Sequence, residues 1–181
     1  MTWRNTPDNF GLVTRLLHWL MAIGILFLLA LGTRLAGMQP GLANLWLYGL
    51  HKSIGLCLLA LVVIRLVWHR ISPPPSPIGD PRALSQRLAR WGHALIYILL
   101  LAIPLSGWIA SSASGIDTVL FETWTVPRIA PVSAAWENAG WAAHGLLTKL
   151  LMAVLLVHVA AALKRQMDGD GTLRRMWSGG N

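Results

Sequence analysis

Residues 144–158, HGLLTKLLMAVLLVH, place a histidine at each end of a run that is apolar apart from Thr148 and Lys149. An α-helix turns ~100° and rises ~1.5 Å per residue, so the fourteen-residue step from His144 to His158 brings the second imidazole to within ~40° of the first after ~21 Å. Both side chains share one face of the helix. The surrounding apolar segment, roughly 141–163, is long enough to cross ~30 Å of hydrocarbon. One imidazole therefore belongs to each leaflet.

Three further segments, roughly 12–33, 46–68 and 92–111, meet the same length criterion of ~20 apolar residues. The composition agrees, with 55% hydrophobic and only 12% charged residues in a chain of 181 and a positive mean hydropathy, outside the range of ordinary soluble domains. The expected fold is all-α: an integral membrane four-helix bundle forming a single transmembrane domain over 1–181. The first apolar stretch is too long for a cleavable signal and lacks its small-residue cleavage site, so it is expected to remain as an anchor.

Lys and Arg flanking the spans set the orientation. Arg4, Arg15, Arg65, Arg70, Arg82, Arg87, Arg90, Lys164, Arg165, Arg174 and Arg175 fall on one side; Arg34, Lys52, Arg128 and Lys149 fall on the other. Eleven against four places both termini in the cytoplasm of a multi-pass membrane protein. The net charge of +8 is explained by topology and anionic lipid. It forms no patch with base-stacking aromatics, so nucleic acid is not an expected partner. Six of the ten tryptophans, Trp19, Trp46, Trp68, Trp91, Trp108 and Trp141, lie at or near span ends, where an indole keeps its N–H wet and its ring in lipid.

Between the second and third spans, RISPPPSPIGDPRALSQRLAR begins with a proline-rich run that excludes helix and ends with a basic stretch that permits it. The outer connection, about 112–140, carries Phe121, Trp124, Pro127, Pro131 and Trp136, which points to a folded cap. Pro104 should bend the third span, and Gly107 permits close packing beside it. Cys57 has no partner for a disulfide and reads as a small apolar packing residue. The chain has no internal repeat, no glycine-rich phosphate loop and no nucleophile elbow.

Histidine is costly in hydrocarbon, and its presence there points to function. The spans alternate in direction, so His18 and His158 fall near the inner surface, while His51 and His144 fall near the outer one. Two trans imidazoles from facing helices are what a b-type haem iron needs for six-coordination. Zinc is a poorer match, because it wants three or four converging ligands. His69, in WHR, reads as an interfacial packing residue; His93 has no evident partner at its depth, and lining a quinone or proton site and simple packing stand as alternatives. Arg65 faces the inner level and Arg15 sits one turn before His18, so each pairs either with an inner haem propionate or with lipid phosphate. Lys52, beside His51, is placed to serve the outer haem. Lys149 projects away from the face that carries His158.

Five stretches, RLLHWLMAIG (15–24), LHKSIGLCLLALVVIRLVWHR (50–70), GHALIYILLLAIPLSGW (92–108), HGLLTKLLMAVLLVHVAAALK (144–164) and DGTLRRMW (170–177), resemble the bacterial cytochrome b561 family. They resemble in particular its small free-standing superoxide:ubiquinone oxidoreductases. The resemblance implies two b haems with iron ligands at His18, His51, His144 and His158, and ubiquinone as acceptor. Family members often carry a histidine at the inner end of the fourth span, where this chain has Lys164, Arg165 and Gln166. The catalytic residues are not specified.

A bis-histidine haem has no vacant position for oxygen, which favours outer-sphere electron transfer. The expected activity is quinone-linked oxidation of periplasmic superoxide, with Lys52, Lys149 and Arg128 drawing the anion to the outer face. The alternative is a cytochrome b subunit that links a periplasmic or hydrogenase-type redox protein to the quinone pool.

Overall fold

The computed structural model describes residues 2–179. Four long helices, α1 (Leu12–Ala36), α2 (Leu45–Ile71), α3 (Leu84–Ala113) and α4 (Ala134–Met167), are joined by a hairpin of β1 (Thr118–Leu120) and β2 (Trp124–Val126) and followed by the short α5 (Thr172–Trp177). All four long helices are long and apolar enough to cross a membrane. Their outward faces carry Leu20, Ile23 and Leu26 on α1, Ile64 and Val67 on α2, and Leu146, Leu156 and Val157 on α4. Such residues are stable in contact with lipid and costly in water.

Packing runs in the order α1, α2, α3, α4, with α3 against α4 the most extensive contact. The buried core is a slab formed by Met21 and Ile25 of α1, Leu58 and Val62 of α2, Leu99 and Leu100 of α3, and Leu151 of α4. In sequence the slab residues follow His18 on α1, His51 on α2 and His93 on α3, and Leu151 lies midway between His144 and His158 on α4, so the slab divides the bundle into two levels. Gly24 lies beneath Leu58, and a Cβ there would meet the leucine at 3.0 Å.

Two helices begin earlier than their spans. The basic stretch after the prolines forms the first two turns of α3, which starts at Leu84, and α4 starts at Ala134 from an extended Ser133. The outer connection folds into the β1/β2 hairpin, with Leu120 paired to Trp124 across a turn in which Phe121 and Glu122 have positive φ. The hairpin docks on the bundle: Ser53 Oγ accepts from the Phe121 N–H at 2.9 Å, and the Trp108 indole donates to the Pro127 carbonyl at 3.1 Å. It is a small β element in an otherwise helical protein.

At the opposite end, the Asn5 backbone N–H donates to Ser72 Oγ and its side-chain amide to the Ser72 carbonyl, both at 2.8 Å, fixing the proline-rich connector to the N-terminal segment. The turn into α5 is held by Asp170, which accepts from the Thr172 N–H at 2.8 Å and pairs with Arg165. Burial alone would raise the Asp170 carboxyl, but the Thr172 N–H and Arg165 outweigh it and hold the carboxyl below the usual carboxylate range. A depressed folded-state pKa contributes stability that is present above the ordinary carboxylate range and lost as the pH falls through the folded value. Acidification should therefore release α5, read as a change in Trp177 fluorescence, and D170N should abolish that pH dependence.

Candidate functional site

The outer level joins α2 and α4. The His51 and His144 rings have centroids 6.2 Å apart and planes at 70°. His144 is oriented by α3, where its Nδ1–H donates to the Ile103 carbonyl at 2.9 Å. A carbonyl can only accept, which fixes the proton on Nδ1 and leaves Nε2 as a lone-pair donor, the usual arrangement of a metal-binding imidazole. Ile103 precedes the helix-interrupting Pro104, and Ser106 Oγ also donates to its carbonyl at 2.7 Å. His51 Nδ1 is buried and has no hydrogen-bond partner.

Glycines make room for both rings. A Cβ at Gly32 would lie 3.0 Å from His51 Cε1, and one at Gly107 would lie 3.0 Å from His144 Nδ1. The rings open on a cavity of about 660 Å³ lined also by Tyr48, Lys52, Trp108 and Lys149. Lys52 Nζ donates to Ser111 Oγ at 2.7 Å.

The inner level joins α1 and α4. The His18 and His158 centroids are 6.5 Å apart, with planes at 53°. Trp19 packs edge-on against His18 at 5.3 Å, and its indole N–H donates to the Met176 carbonyl at 3.2 Å. Trp177 packs against Trp19 at 5.0 Å. Through Trp19, α5 is packed beside His18.

The histidines of each pair are spaced so that they could together hold a haem iron. Two imidazoles each bonded to one metal at ~2 Å would, with the radius of each ring, have centroids ~6.3 Å apart, close to the separations of both pairs. Among the described residues no group of three or more His, Cys, Asp or Glu is arranged to hold a metal ion.

The family described as prokaryotic cytochrome b561 matches residues 9–179. The chain belongs to the prokaryotic cytochrome b561 family. It is 34% identical over 180 residues, 97% of this chain and 95% of the relative, to cytochrome b561 homolog 2 of Escherichia coli (strain K12). It is 27% identical over 161 residues, 88% of this chain and 90% of the relative, to probable superoxide oxidase CybB of Yersinia pestis. This cytochrome is accordingly a multi-pass membrane redox protein, and the family implies b-type haem.

Several side chains lie where their sequence positions did not indicate. His93 of α3 does have a partner at its depth, because its ring is 5.2 Å from that of His158, with Nδ1 donating to the Ala89 carbonyl at 2.7 Å. Arg15 is buried and donates through Nη1 to the Trp177 carbonyl at 2.8 Å, so it is turned toward α5 and away from lipid phosphate. Arg65 is also buried, with Nε donating to the Tyr97 hydroxyl at 2.8 Å. Lys149 is exposed but lines the outer cavity. Arg128 is paired with Asp117 at 2.9 Å and also donates to the Gly115 carbonyl, which neutralises most of its attraction for anions. Tyr97, Ser111 and Gly32 were not singled out. Gly32 had one available signal: it faces the α2 histidine from a helix otherwise rich in bulky residues.

Proposed function

We propose that this cytochrome carries electrons across the bacterial inner membrane from periplasmic superoxide to ubiquinone. In this reading His51 and His144 hold an outer b haem, His18 and His158 hold an inner one, and both termini are cytoplasmic. The observation that carries it is the presence of two imidazole pairs at haem-ligating separation, 6.2 and 6.5 Å, on one bundle. A bis-imidazole b haem supplies reversible one-electron exchange at iron without an open coordination position. His144, with its proton fixed on Nδ1 by Ile103, presents Nε2 for ligation in one defined orientation. The apolar slab of Met21, Leu58, Val62, Leu99 and Leu151 keeps water out between the levels. Lys52 and Lys149 give the outer cavity positive charge, which favours a small anion. The name of the Yersinia relative supports superoxide as that anion.

The overall stoichiometry is two superoxide anions, one quinone and two protons giving two dioxygen molecules and one quinol. The test is to add superoxide to purified holoprotein with a ubiquinone analogue under otherwise anaerobic conditions. Quinol should form at one per two superoxide consumed, and the rate should fall with ionic strength. The double variant K52Q/K149Q should be slower by about tenfold at low salt, with most of its salt dependence gone. Absence of superoxide-dependent quinol formation in a protein carrying both haems would exclude superoxide as donor and favour the carrier-subunit alternative.

A further inference from the structure

Among the described residues Arg65 has no carboxylate partner. Its side chain lies on α2 in the inner half of the bundle, with the residue 8% exposed, and its Nε donates to the neutral Tyr97 hydroxyl. Helices α1, α2 and α3 contain no Asp or Glu; α4 contains only Glu137, in its first turn at the outer end. Among the described residues the ion pairs are Arg128–Asp117, Lys164–Asp168 and Arg165–Asp170. None involves Arg65. Tyr97 lies one turn after His93 on α3, and the His93 ring is 5.2 Å from that of His158, so the guanidinium is anchored beside the inner level.

A buried cation with no carboxylate partner in the protein is costly and is expected only where something makes use of its field. At the outer level the cations lining the cavity are Lys52, half-buried, and Lys149, exposed, so both are better screened by solvent than Arg65. We propose that Arg65 is a positioning residue for the electron itself: its charge stabilises the reduced state at the His18/His158 level and makes transfer from the outer to the inner level downhill. Reduction adds one negative charge to a ligated haem, and a fixed positive charge in a medium of low dielectric favours that state. Tyr97 holds the guanidinium in place and carries no charge of its own in this role. The inference rests on the haem ligation proposed above.

The experiment is a spectroelectrochemical titration of purified wild-type holoprotein, R65Q, R65K and Y97F, with the two components assigned by comparison with H51A. In the wild type the inner component should titrate at the higher potential. In R65Q the inner component should shift to lower potential, by about tenfold in its reduced-to-oxidised ratio at fixed ambient potential, ~59 mV for a one-electron couple, while the outer component stays in place. R65K and Y97F, which keep the charge, should keep most of the inner potential. The proposal is overturned if R65Q leaves the inner component unmoved, if both components move equally, or if R65K falls as far as R65Q. Should R65Q fail to take up haem, the wild-type order decides, and an inner component below the outer one overturns the proposal. A wild-type protein holding fewer than two b haems would instead overturn the ligation reading on which the proposal rests.

Discussion

In the proposed ligation, His18→Ala and His51→Ala should each halve the haem content and each should leave a different haem behind. The pairs lie on different helices at different depths, His18 with His158 and His51 with His144, and a lone imidazole does not give the six-coordinate iron that defines this kind of site. Dithionite-reduced spectra with pyridine-haemochrome quantitation should therefore show about half the wild-type haem in each variant, and the double variant should show almost none. His158→Ala should behave less cleanly. The His93 ring stands 5.2 Å from His158, and its Nδ1 bond to Ala89 leaves Nε2 unprotonated and able to ligate. Some inner haem should persist in H158A, and adding H93A should remove it. Equal loss of both haems in H18A and H51A would break the assignment by depth.

The histidine levels were legible because imidazole is too costly in hydrocarbon to be placed there without purpose, and because the helix repeat converts a fourteen-residue step into a depth. The same arithmetic failed for His93. Its depth was measured from a span beginning near residue 92, whereas α3 begins at Leu84; two extra turns carry His93 further into the bundle and against His158. The apolar window marks where lipid begins, and a helix commonly continues through the headgroups. Lys149 was placed by its angle to His158, but the wide outer cavity also admits side chains well off the ligand face. Arg15 finds its partner in α5, whose six residues are too few for a periodic signal. The strands of the hairpin have three residues each and were invisible for the same reason, although the apolar content of the cap did indicate that it folds. Fold class and the histidine pairing thus depend on costs that sequence exposes directly, while the polar partners depend on contacts between distant segments.

Gly140→Ala should destabilise the protein and loosen the outer haem, although alanine is ordinarily the better helix former. A Cβ at Gly140 would lie 2.8 Å from Ala110 Cβ, 2.9 Å from its backbone N and 3.0 Å from its Cα, and Ala110 is fully buried. No side-chain rotation can relieve a contact with backbone, so α4 must move away from α3 across their most extensive contact. Overpacking of this kind costs about 1–3 kcal/mol. The displacement also reaches the site, because Gly140 lies one turn before His144 on the same face, and His144 is fixed to α3 by its bond to Ile103 and its packing against Gly107. The outer haem should become weakly held and its low-spin spectrum broadened, with the inner component unchanged. Gly145 supplies the comparison within the same helix. A Cβ there meets nothing within 4 Å, so G145A should be neutral or stabilising by about 0.5–1 kcal/mol through helix propensity alone. Thermal unfolding in detergent, with haem absorbance and tryptophan fluorescence followed together, separates the two. If G140A and G145A behave alike, close packing of α3 on α4 is not what positions His144, and the Ile103 hydrogen bond must hold the ring unaided.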